Sequence, residues 1–490
     1  MENQTVIQYF HWYNATSTLW SEVKDKAQYL QQLGITAAWL PPAYKAASGN
    51  ISVGFDPYDL YDLGEFDQKG SIPTKYGNVA EYIDAVNTLK HHNIITIVDI
   101  VLNHKAGADE VEKMMAIKVN ADDRTEQLEE PIEIEAFTKF NFNRNNQYSN
   151  FIWNSTCFSG VDFDSKKEET AIFKIINEYG TDWEDMISAE KGNYDYLMYC
   201  DIEFRNTAVI EELKKWGKWY HDKVGFGGVR LDAVKHISPQ FFNEWLTFLK
   251  DNIEQNIFAV GEYWAPGNLD LLLKYIEATD GNMSLFDSCL QHNFHTASNS
   301  GNNFDLTTIL DNCLTTALPE KSVTVVDNHD TQPLQALEAN VQEWFKPLAY
   351  ALILLRQNGL PCLFYPDLFG CTYHGIDKEG NEQTIIINKT EGIEALLHAR
   401  KNNAYGTQID YFNFTNCIGW VRQGNENYNG CAVLMSNSEA GTKVMEMGKN
   451  YANKTFADAL GKCNNEVTIN EDGFGEFTCA PGSVSVWVIK

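Results

Sequence analysis

The sequence predicts an α/β fold: a (β/α)8 TIM barrel with a small inserted domain after strand 3 and an all-β domain at the C-terminus. Three observations carry this prediction. Short apolar runs alternate with amphipathic helices from residue 5 onward, the alternation stops between Lys105 and Asn206, and short alternating runs replace it after residue 395. Strands that alternate with helices are typical of a parallel sheet covered by helices.

Eight apolar runs are the candidate barrel strands. They cover residues 5–10, 35–40, 94–100, 227–232, 257–262, 284–287, 322–327 and 361–365. Helices with one apolar face are predicted between strands, over residues 19–33, 79–91 and 208–223. Eight strands is the number that closes a (β/α)8 barrel.

The breaks in this rhythm predict the domain organisation. The four segments are 1–104 (first part of the barrel), 105–207 (inserted domain), 208–395 (second part of the barrel) and 396–490 (C-terminal β-sandwich). The inserted segment is polar, acidic and too long for a plain loop. Its stretch from Ala121 to Glu135 shows little regular period. The C-terminal runs, among them Tyr411–Phe414, predict a sandwich or Greek key.

The net charge and the N-terminal residues limit which kinds of binding partner and which cellular location are expected. The chain has 490 residues with 67 acidic against 38 basic side chains, a formal net charge of -29. Such a charge repels nucleic acid and anionic membranes, so neither is expected as a partner. No apolar run has the length of a membrane span, and the start at Met1–Glu2 lacks a basic, apolar leader. We therefore expect a cytoplasmic monomer whose ten scattered cysteines are reduced.

Acidic side chains stand at the ends of four predicted strands. Asp99 ends the third strand, Asp232 the fourth and Glu262 the fifth, and Asp330 follows the seventh. The C-terminal ends of barrel strands meet at one face, where the active sites of such barrels lie. Retaining cleavage of a glycosidic bond needs two carboxyl groups about 5–5.5 Å apart, which neighbouring strand ends supply. Arg230 points the same way as Asp232 and would stabilise its charged form.

These residues lie in blocks that resemble a known family. The blocks are Asp99–His104, Gly228–His236, Gly261–Trp264 and Val326–Gln332. They are similar to the four sequence blocks of the α-amylase family of glycoside hydrolases. Further segments resemble its bacterial liquefying members: Ala43–Lys45, Tyr58–Phe66, Tyr194–Tyr199, Trp344–Tyr350 and Gly482–Val488. Within that group the leaderless start and Ala121–Thr125 look most like the cytoplasmic α-amylases, and the resemblance covers essentially the whole chain.

The resemblance implies roles for the blocks. Asp232 is implied as the nucleophile, Glu262 as the general acid/base and Asp330 as the stabiliser of the transition state. The implied contacts of the sugar at the cleavage point are Asp99, His104, Arg230 and His329, with Lys235 and His236 toward the leaving group. The candidate aromatic platforms for sugar rings are Trp12, Phe55, Tyr58 and Trp264. Relatives usually carry tyrosine at position 55, so Phe55 keeps the stacking face without the hydroxyl.

The resemblance also implies a Ca²⁺ site, with oxygen ligands of the kind calcium prefers. The implied ligands are Asn103, Asp195, Asp201 and the backbone oxygen of His236, and Asp162 and Asp182 match acids that build a multi-metal cluster in liquefying enzymes. Two positions depart from the pattern. Glu203 replaces the usual aspartate, and Arg205 stands where another acid often lies. The positive charge of Arg205 disfavours a second calcium ion.

Three functions fit these residues. The first is retaining endo-hydrolysis of α-1,4-glucosidic bonds in starch, glycogen or maltodextrins through a covalent glycosyl-enzyme. The second is an α-glucan transglycosylase on the same scaffold, which shares the chemistry up to the glycosyl-enzyme and differs in the acceptor. The third is an inactive sugar-binding homologue. That alternative predicts loss of Asp232 or Glu262, and both are present.

Overall fold

The molecule is built on a closed barrel of eight parallel strands, as predicted. The structure is a computed structural model that describes residues 3–253 and 256–490. Met1 and Glu2, on which the leaderless start partly rests, lie outside the described residues. The barrel strands are β1 (Val6–Gln8), β2 (Ala37–Leu40), β3 (Ile95–Ile100), β4 (Gly228–Leu231), β5 (Phe258–Gly261), β6 (Ser284–Phe286), β7 (Ser322–Val325) and β8 (Leu360–Phe364).

The strands neighbour each other in chain order, and β8 closes the barrel against β1. The register at the centre of the sheet places chemistry side by side. Arg230 on β4 is paired with Asp99 on β3 and with Val260 on β5. The ladder continues past the strand ends, because the amide of Asp232 donates to the carbonyl of Ile100. The backbones at the catalytic face are thus fixed by the barrel itself.

Helices cover the barrel and carry most of its packing. They are α1 (Leu19–Leu33), α2 (Val79–His91), α3 (Thr207–Val224), α4 (Pro239–Asn252), α5 (Leu269–Ala278), α6 (Ser288–Ser300), α7 (Leu314–Ala317), α8 (Lys346–Leu355), α9 (Tyr365–Phe369) and α10 (Ile393–Asn402). Short 3₁₀ helices are Gly49–Ile51, Ser155–Cys157, Val234–His236, Gly301–Asn303, Leu306–Thr308, Pro319–Lys321 and Lys449–Tyr451. The predicted bounds of α1 and α2 are confirmed, and α3 is one residue longer at each end. The predicted domain boundary at residue 395 falls within α10.

Local capping explains why the bounds of α1 and α2 could be read from the sequence. The side chain of Asn78 accepts hydrogen bonds from the amides of Ala80 and Glu81, and the Glu81 carboxylate accepts one from the Asn78 amide. This capping box starts α2. Gly34 ends α1 in the left-handed conformation at φ 85°, which glycine adopts without steric cost.

The inserted segment forms a six-stranded sheet between β3 and α3. In sheet order its strands are His104–Lys105, Cys200–Ile202, Phe158–Asp164, Glu169–Ile175, Glu110–Val119 and Ile132–Lys139. The expectation of little period up to Glu135 is wrong at its end, because the strand Ile132–Lys139 begins inside that stretch. Its buried residues alternate from Ile134 onward, so the pattern becomes visible only as that stretch ends.

The C-terminal region is all-β, as predicted. Its six-stranded sheet runs in the order Gln408–Tyr411, Cys417–Arg422, Cys431–Ser436, Val484–Ile489, Thr455–Asp458 and Val467–Thr468. A two-stranded ladder of the same region pairs Gly441–Glu446 with Phe474–Cys479. Two further ladders lie earlier in the chain: Cys371–Ile376 with Glu382–Ile387, and Lys45–Ala46 with Pro57–Asp59. The predicted strand Tyr411–Phe414 is wrong beyond Tyr411, because a turn follows in which the Cys417 amide bonds the Phe414 carbonyl. Within residues 3–253 and 256–490, no helix combines the length and apolarity that a membrane crossing needs.

The contact between α3 and α4 tests how tightly the helical layer is packed. Gly217 on α3 lies against the indole of Trp245 on α4, and a Cβ at Gly217 would come within 2.7 Å of that ring. Trp245 is fully buried and its indole donates to the carbonyl of Leu213, so the ring cannot retreat. The helices therefore depend on a residue without a side chain at this crossing.

We predict that Gly217→Ala lowers the free energy of unfolding by about 1–3 kcal/mol, the usual cost of overpacking. Alanine favours a helix over glycine by about 1 kcal/mol, so a gain in stability would contradict this packing. Urea denaturation measures the difference. Lys218→Ala, at an exposed position of the same helix, is the control and should change stability by less than about 0.5 kcal/mol.

Candidate active site

The centre of the candidate site is the buried guanidinium of Arg230. Its NH1 lies 2.9 Å from Oδ1 of Asp99 and 2.6 Å from Oδ1 of Asp232, and its NH2 lies 2.5 Å from Oε2 of Glu262. These side chains come from three adjacent strands, β3, β4 and β5. All four are buried. One cation therefore holds three predicted strand-end acids together.

The surroundings of Glu262 raise its pKa above the ordinary value for glutamate. Its backbone amide continues the barrel ladder to the carbonyl of Leu231, and its Oε2 also accepts from the amide of Ala233 at 3.2 Å. Burial raises the pKa of Glu262 and the charge of Asp232 adds to this, although Arg230 opposes both. The arrangement favours a carboxyl group that keeps its proton above the ordinary range of glutamate.

Asp99 lies on the other side of Arg230. Its Oδ2 accepts a hydrogen bond of 2.8 Å from the indole of Trp39, at the end of β2. Burial raises the pKa of Asp99 to about 7, against the opposing charge of Arg230. Trp39 also contacts the guanidinium, with its ring centre 5.0 Å from the central carbon of Arg230. Trp39 was not among the predicted site residues.

Asp330 approaches from the end of β7. Its backbone is held by an Asx turn, in which Oδ1 of Asn328 accepts from the amides of Asp330 and Thr331. Its carboxylate lies 3.4 Å from Nε2 of His329. Burial raises the pKa of Asp330 and the charge of Glu262 adds to it. The third predicted catalytic acid thus shares one electrostatic environment with the other two.

An aromatic wall adjoins these acids. Phe55 stacks on His329 with ring centres 4.8 Å apart, and Trp12 stacks on Phe55 at 5.7 Å. His104 joins the wall through a 2.9 Å contact between its Nε2 and the backbone oxygen of Phe55. Trp12 and Phe55 are only partly buried, so a ligand can reach them. The structure therefore brings two of the four candidate platforms together beside the carboxylates.

Tyr58 does not belong to this wall. Its side chain is buried, its hydroxyl donates to Asp109, and the ammonium of Lys69 lies 4.1 Å from the centre of its ring. The rings of Phe140 and Phe142 pack against it. Tyr58 thus joins the barrel to the inserted segment instead of offering a free face.

Lys235 and Trp264 contact each other where the site meets the inserted segment. Lys235 forms an ion pair with Glu190 of the inserted segment, and its Nζ is 3.5 Å from the backbone oxygen of Trp264. Trp264 is partly buried. Glu190 was not among the predicted site residues. The sequence gives no signal for this contact beyond the position of Glu190 in an irregular acidic stretch.

His236 connects the same segment to the inserted sheet. Its Nδ1 lies 2.6 Å from the carbonyl of Tyr194, so Nδ1 carries the proton, and the two rings meet edge to face at 4.2 Å. Burial lowers the pKa of His236 to about 3, so the imidazole is neutral near pH 7. The neutral side chain of His236 thus connects the barrel to the inserted segment.

The predicted calcium ligands fall in the contact between barrel and insertion. Asn103 and Asp201 are neighbours, with Nδ2 of Asn103 3.2 Å from Oδ1 of Asp201. The Oδ1 atom of Asn103 is buried and has no hydrogen-bond partner among the described residues. Asp201 also accepts from Ser159, and burial with the charge of Asp195 raises its pKa well above the ordinary value. An orphaned amide oxygen beside a buried carboxylate suits a hard cation.

The remaining predicted ligands spread apart. Asp195 accepts from the amide of Glu184, while Asp162 accepts from the amide of Tyr199. Asp182 has a side chain that is 92% exposed and pairs with Lys174. Across the part of the chain that the structure describes, no three His, Cys, Asp or Glu side chains converge in a ready metal site. The fit to a cation therefore rests on Asn103 and Asp201, completed by backbone or amide oxygens.

A barrel with three carboxylates around an arginine at its C-terminal face, flanked by an aromatic wall, defines the class of barrel glycoside hydrolases. Comparison with known proteins specifies the class further. The family model described as alpha amylase, catalytic domain, matches residues 18–446, and the one described as alpha-amylase C-terminal matches residues 432–488. The chain belongs to the α-amylase family, and the resemblance found in the sequence is confirmed.

Several proteins of assigned function are similar over their full length. The cytoplasmic alpha-amylase of Escherichia coli is 48% identical, over 100% of this chain and 99% of its own. The alpha-amylase of Geobacillus stearothermophilus is 45% identical, over 99% and 87% of the two chains. The crystal structure of an alpha-amylase from Geobacillus thermoleovorans, complexed with acarbose, matches with a TM-score of 0.65 at 16% identity, over 100% and 98% of the chains. At that identity the structural match supports the fold alone.

We predict that Arg230→Met destabilises the protein by about 3–5 kcal/mol near pH 8, because the acids then lose their shared cation. The loss should be smaller at pH 5. Without Arg230 the folded-state pKa values of Asp99 and Glu262 rise further above those of the unfolded chain. The folded state then binds more protons between about pH 4 and these pKa values, so stability falls as pH rises through that window.

Urea denaturation of both proteins at pH 5 and pH 8 measures this difference. Arg230→Lys is the matched control, since it keeps the charge and loses only the planar fork, and it should cost less than the methionine variant. An equal loss at both pH values would contradict a role based on charge.

Proposed function

We propose that this chain is a retaining endo-hydrolase of internal α-1,4-glucosidic bonds in starch, glycogen or maltodextrins. The observation that carries the proposal is the sharing of Arg230 by Asp232 and Glu262, at the ends of two adjacent strands. Two carboxyl groups at neighbouring strand ends are the constellation that double displacement at a sugar requires. Similarity to α-amylases along the full chain supports the same reaction.

In the first step Asp232 attacks the anomeric carbon. A bond forms between its carboxylate oxygen and that carbon as the bond to the leaving glycosidic oxygen breaks. Glu262 gives its proton to the leaving oxygen, and the raised pKa of Glu262 supports this role. In the second step the Glu262 carboxylate takes a proton from water, whose oxygen replaces Asp232 at the same carbon. Two inversions give net retention.

The other residues of the site stabilise charge and hold the sugar. Positive charge builds on the sugar ring in the transition state, and Asp330 lies close enough to Glu262 for the two charges to interact. The stacked rings of Trp12 and Phe55 support binding of the apolar face of a pyranose. Asp99 keeps Arg230 in place through its 2.9 Å ion pair. Lys235 and His236, tied to Glu190 and Tyr194, line the leaving-group side.

A transglycosylase would use the same first step and then pass the glycosyl group to a sugar instead of water. The cyclomaltodextrin glucanotransferase of Bacillus sp. (strain 1011) is 24% identical and the match covers 61% of that protein, a weaker similarity than that to the α-amylases. This difference favours hydrolysis. The pairing of both Asp232 and Glu262 with one buried arginine disfavours an inactive homologue.

We propose one Ca²⁺ ion, held by Asn103, Asp195, Asp201 and the backbone oxygen of His236. The orphaned oxygen of Asn103 beside Asp201 supports this set. When bound, the ion would add positive charge between the barrel and the inserted sheet and stabilise their contact. The further acids Asp162 and Asp182 are proposed only as outer partners, because Asp182 points to solvent.

The chain is further proposed to act in the cytoplasm as a monomer. The name of the Escherichia coli relative supports the location, and the ten free thiols agree with a reducing compartment. The net charge of -29 opposes binding to nucleic acid and anionic membranes. Cell fractionation and light scattering test these statements; recovery outside the cytoplasm or a stable dimer would overturn them.

The catalytic assignment predicts that Glu262→Gln lowers the rate of starch hydrolysis by about 10²–10⁴-fold. Asp232→Asn should remove the activity, because its amide is a poor nucleophile. Asp270→Asn, an exposed acid on α5, is the control and should keep the wild-type rate. Near-normal activity in either site variant would remove the mechanism, provided circular dichroism shows each variant folded.

Product analysis separates the three candidate functions. With maltoheptaose and soluble starch, the wild-type chain should give shorter α-glucans whose new reducing ends appear first as the α-anomer in NMR. Products longer than the substrate would instead indicate transfer. An initial β-anomer would exclude retention, and the absence of any product would indicate a binding protein.

The calcium proposal predicts that stripping with EGTA lowers the melting temperature and that added Ca²⁺ restores it. Calcium at 100 times its Kd should stabilise the folded state by about 2.7 kcal/mol. Asp201→Asn should abolish this response, whereas Asp182→Asn, at an exposed position, should retain it. A melting curve that EGTA and Ca²⁺ leave unchanged would refute the site.

A further inference from the structure

Two cysteines of the C-terminal region lie side by side, far in sequence from the acids of the barrel. Cys417 begins the strand Cys417–Arg422 and Cys479 ends the strand Phe474–Cys479. Cys479 is paired across its ladder with Gly441. A Cβ at Gly441 would lie 3.0 Å from Sγ of Cys479 and closer still to Sγ of Cys417. The two sulfurs therefore meet over a residue that has no side chain.

This placement suits a disulfide. A bridge needs sulfurs about 2.0 Å apart and Cβ atoms about 3.5–4.5 Å apart. The sulfurs of Cys417 and Cys479 both border the space left open above Gly441, so they lie close to each other. Rotation of the side chains, with no rearrangement of strands, would bring the sulfurs together.

A buried lysine stands beside the pair. Gly441, Lys443 and Met445 alternate on the buried face of one strand, so Lys443 lies on the same side as the open space at Gly441. Its ammonium donates to Asn413 and lies 4.4 Å from the ring of Phe414, and none of the described carboxylates pairs with it. The charge of Lys443 is thus available to a thiolate.

The two thiols differ in acidity. The hydrogen bond from Cys479, with help from the charge of Lys443, lowers the pKa of Cys417 to about 7 against the effect of burial. The hydrogen bond to Cys417 and burial raise the pKa of Cys479 well above its ordinary value. Cys417 is also partly exposed, whereas Cys479 is buried. Cys417 is thus the more acidic and the more reachable of the two, and Cys479 is its buried partner, as a reactive and a resolving cysteine would be.

We propose that Cys417 and Cys479 form a redox modification site, at which a peroxide oxidises Cys417 and Cys479 then closes a reversible disulfide. The Cys417 thiolate attacks one oxygen of hydrogen peroxide, the O–O bond breaks, and one water leaves after it takes up a proton. The Cys417 sulfur is then a sulfenic acid. Sγ of Cys479 displaces its hydroxyl as a second water. In sum, two thiols lose two hydrogen atoms and one peroxide is reduced to two waters.

The other thiols are poorly placed for this chemistry. Cys463 is nearest, but its thiol points to the carbonyl of Thr478 at 3.6 Å. Burial raises the pKa of the remaining cysteines and keeps them protonated: Cys157, Cys200, Cys289, Cys313, Cys362, Cys371 and Cys431. The site should therefore oxidise first.

The bridge would join two separate sheets. Cys417 belongs to the six-stranded sheet and Cys479 to the two-stranded ladder with Gly441–Glu446. A cross-link between positions 417 and 479 lowers the conformational entropy of the unfolded chain, which stabilises the folded state relative to it. The oxidised protein should thus melt at a higher temperature than the reduced one.

Peptide mapping of the full-length protein tests the site. After treatment with hydrogen peroxide and alkylation, we expect two fewer free thiols and one linked peptide pair that contains Cys417 and Cys479, reversed by dithiothreitol. Cys417→Ser should abolish the link. Cys463→Ser, the matched control, should leave it intact. Because these readouts are made on the wild-type chain as well, they do not depend on a variant folding well.

The charge of Lys443 gives a second, kinetic test. Lys443→Met should slow the appearance of the linked pair at pH 7 by about twofold or more, because less of Cys417 is then thiolate. A link between Cys463 and Cys479, sulfinic acid at Cys417 without a link, or no loss of thiols would each overturn the proposal. So would an unchanged rate in a folded Lys443→Met variant.

Discussion

The site depends on a single buried guanidinium. Arg230 is 1% exposed and its two terminal nitrogens serve carboxylates from three adjacent strands. Burying three carboxylates without a cation would cost several kcal/mol for each charge. A lysine could not do the same, because only the planar fork presents separate donors in fixed directions. The acids can therefore stand at neighbouring strand ends only because β4 places this arginine between β3 and β5.

The same constraint extends to the inserted segment. After Asp232 the chain turns through Ala233, which is held at φ 50° and donates its amide to Glu262. A left-handed conformation at a residue with a Cβ costs about 1 kcal/mol or more and persists only where surrounding contacts impose it. The turn leads directly into the 3₁₀ helix Val234–His236, which bonds Tyr194. Asp232 and the contact between His236 and the inserted segment therefore lie at the two ends of one strained turn.

Some of this could be predicted from the sequence and some could not. The barrel strands were predictable because they are short, largely apolar runs that alternate with amphipathic helices, and α2 because its capping box is local. The strand Thr455–Asp458 was missed, since it is short and its pairing with Val484–Ile489 is a tertiary contact. Trp39 was missed for a similar reason. It reads as one more apolar residue of β2, and only the closed barrel turns its indole toward Asp99. Hydrophobic periodicity and capping residues predict local structure, but neither shows which residues become partners across strands.

The acids of the inserted segment indicate how many cations the molecule can hold. Arg205 grips both oxygens of Glu203 and donates to the backbone oxygen of Asp182, so its guanidinium already fills the end of the acidic cluster that faces solvent. Burial raises the pKa of Asp195 and of Glu184, and the charge of Arg205 opposes the rise at both. A second metal ion would have to displace Arg205, whereas an ion beside Asn103 meets an oxygen without a partner. This distribution of charge agrees with the proposal of a single calcium ion beside Asn103.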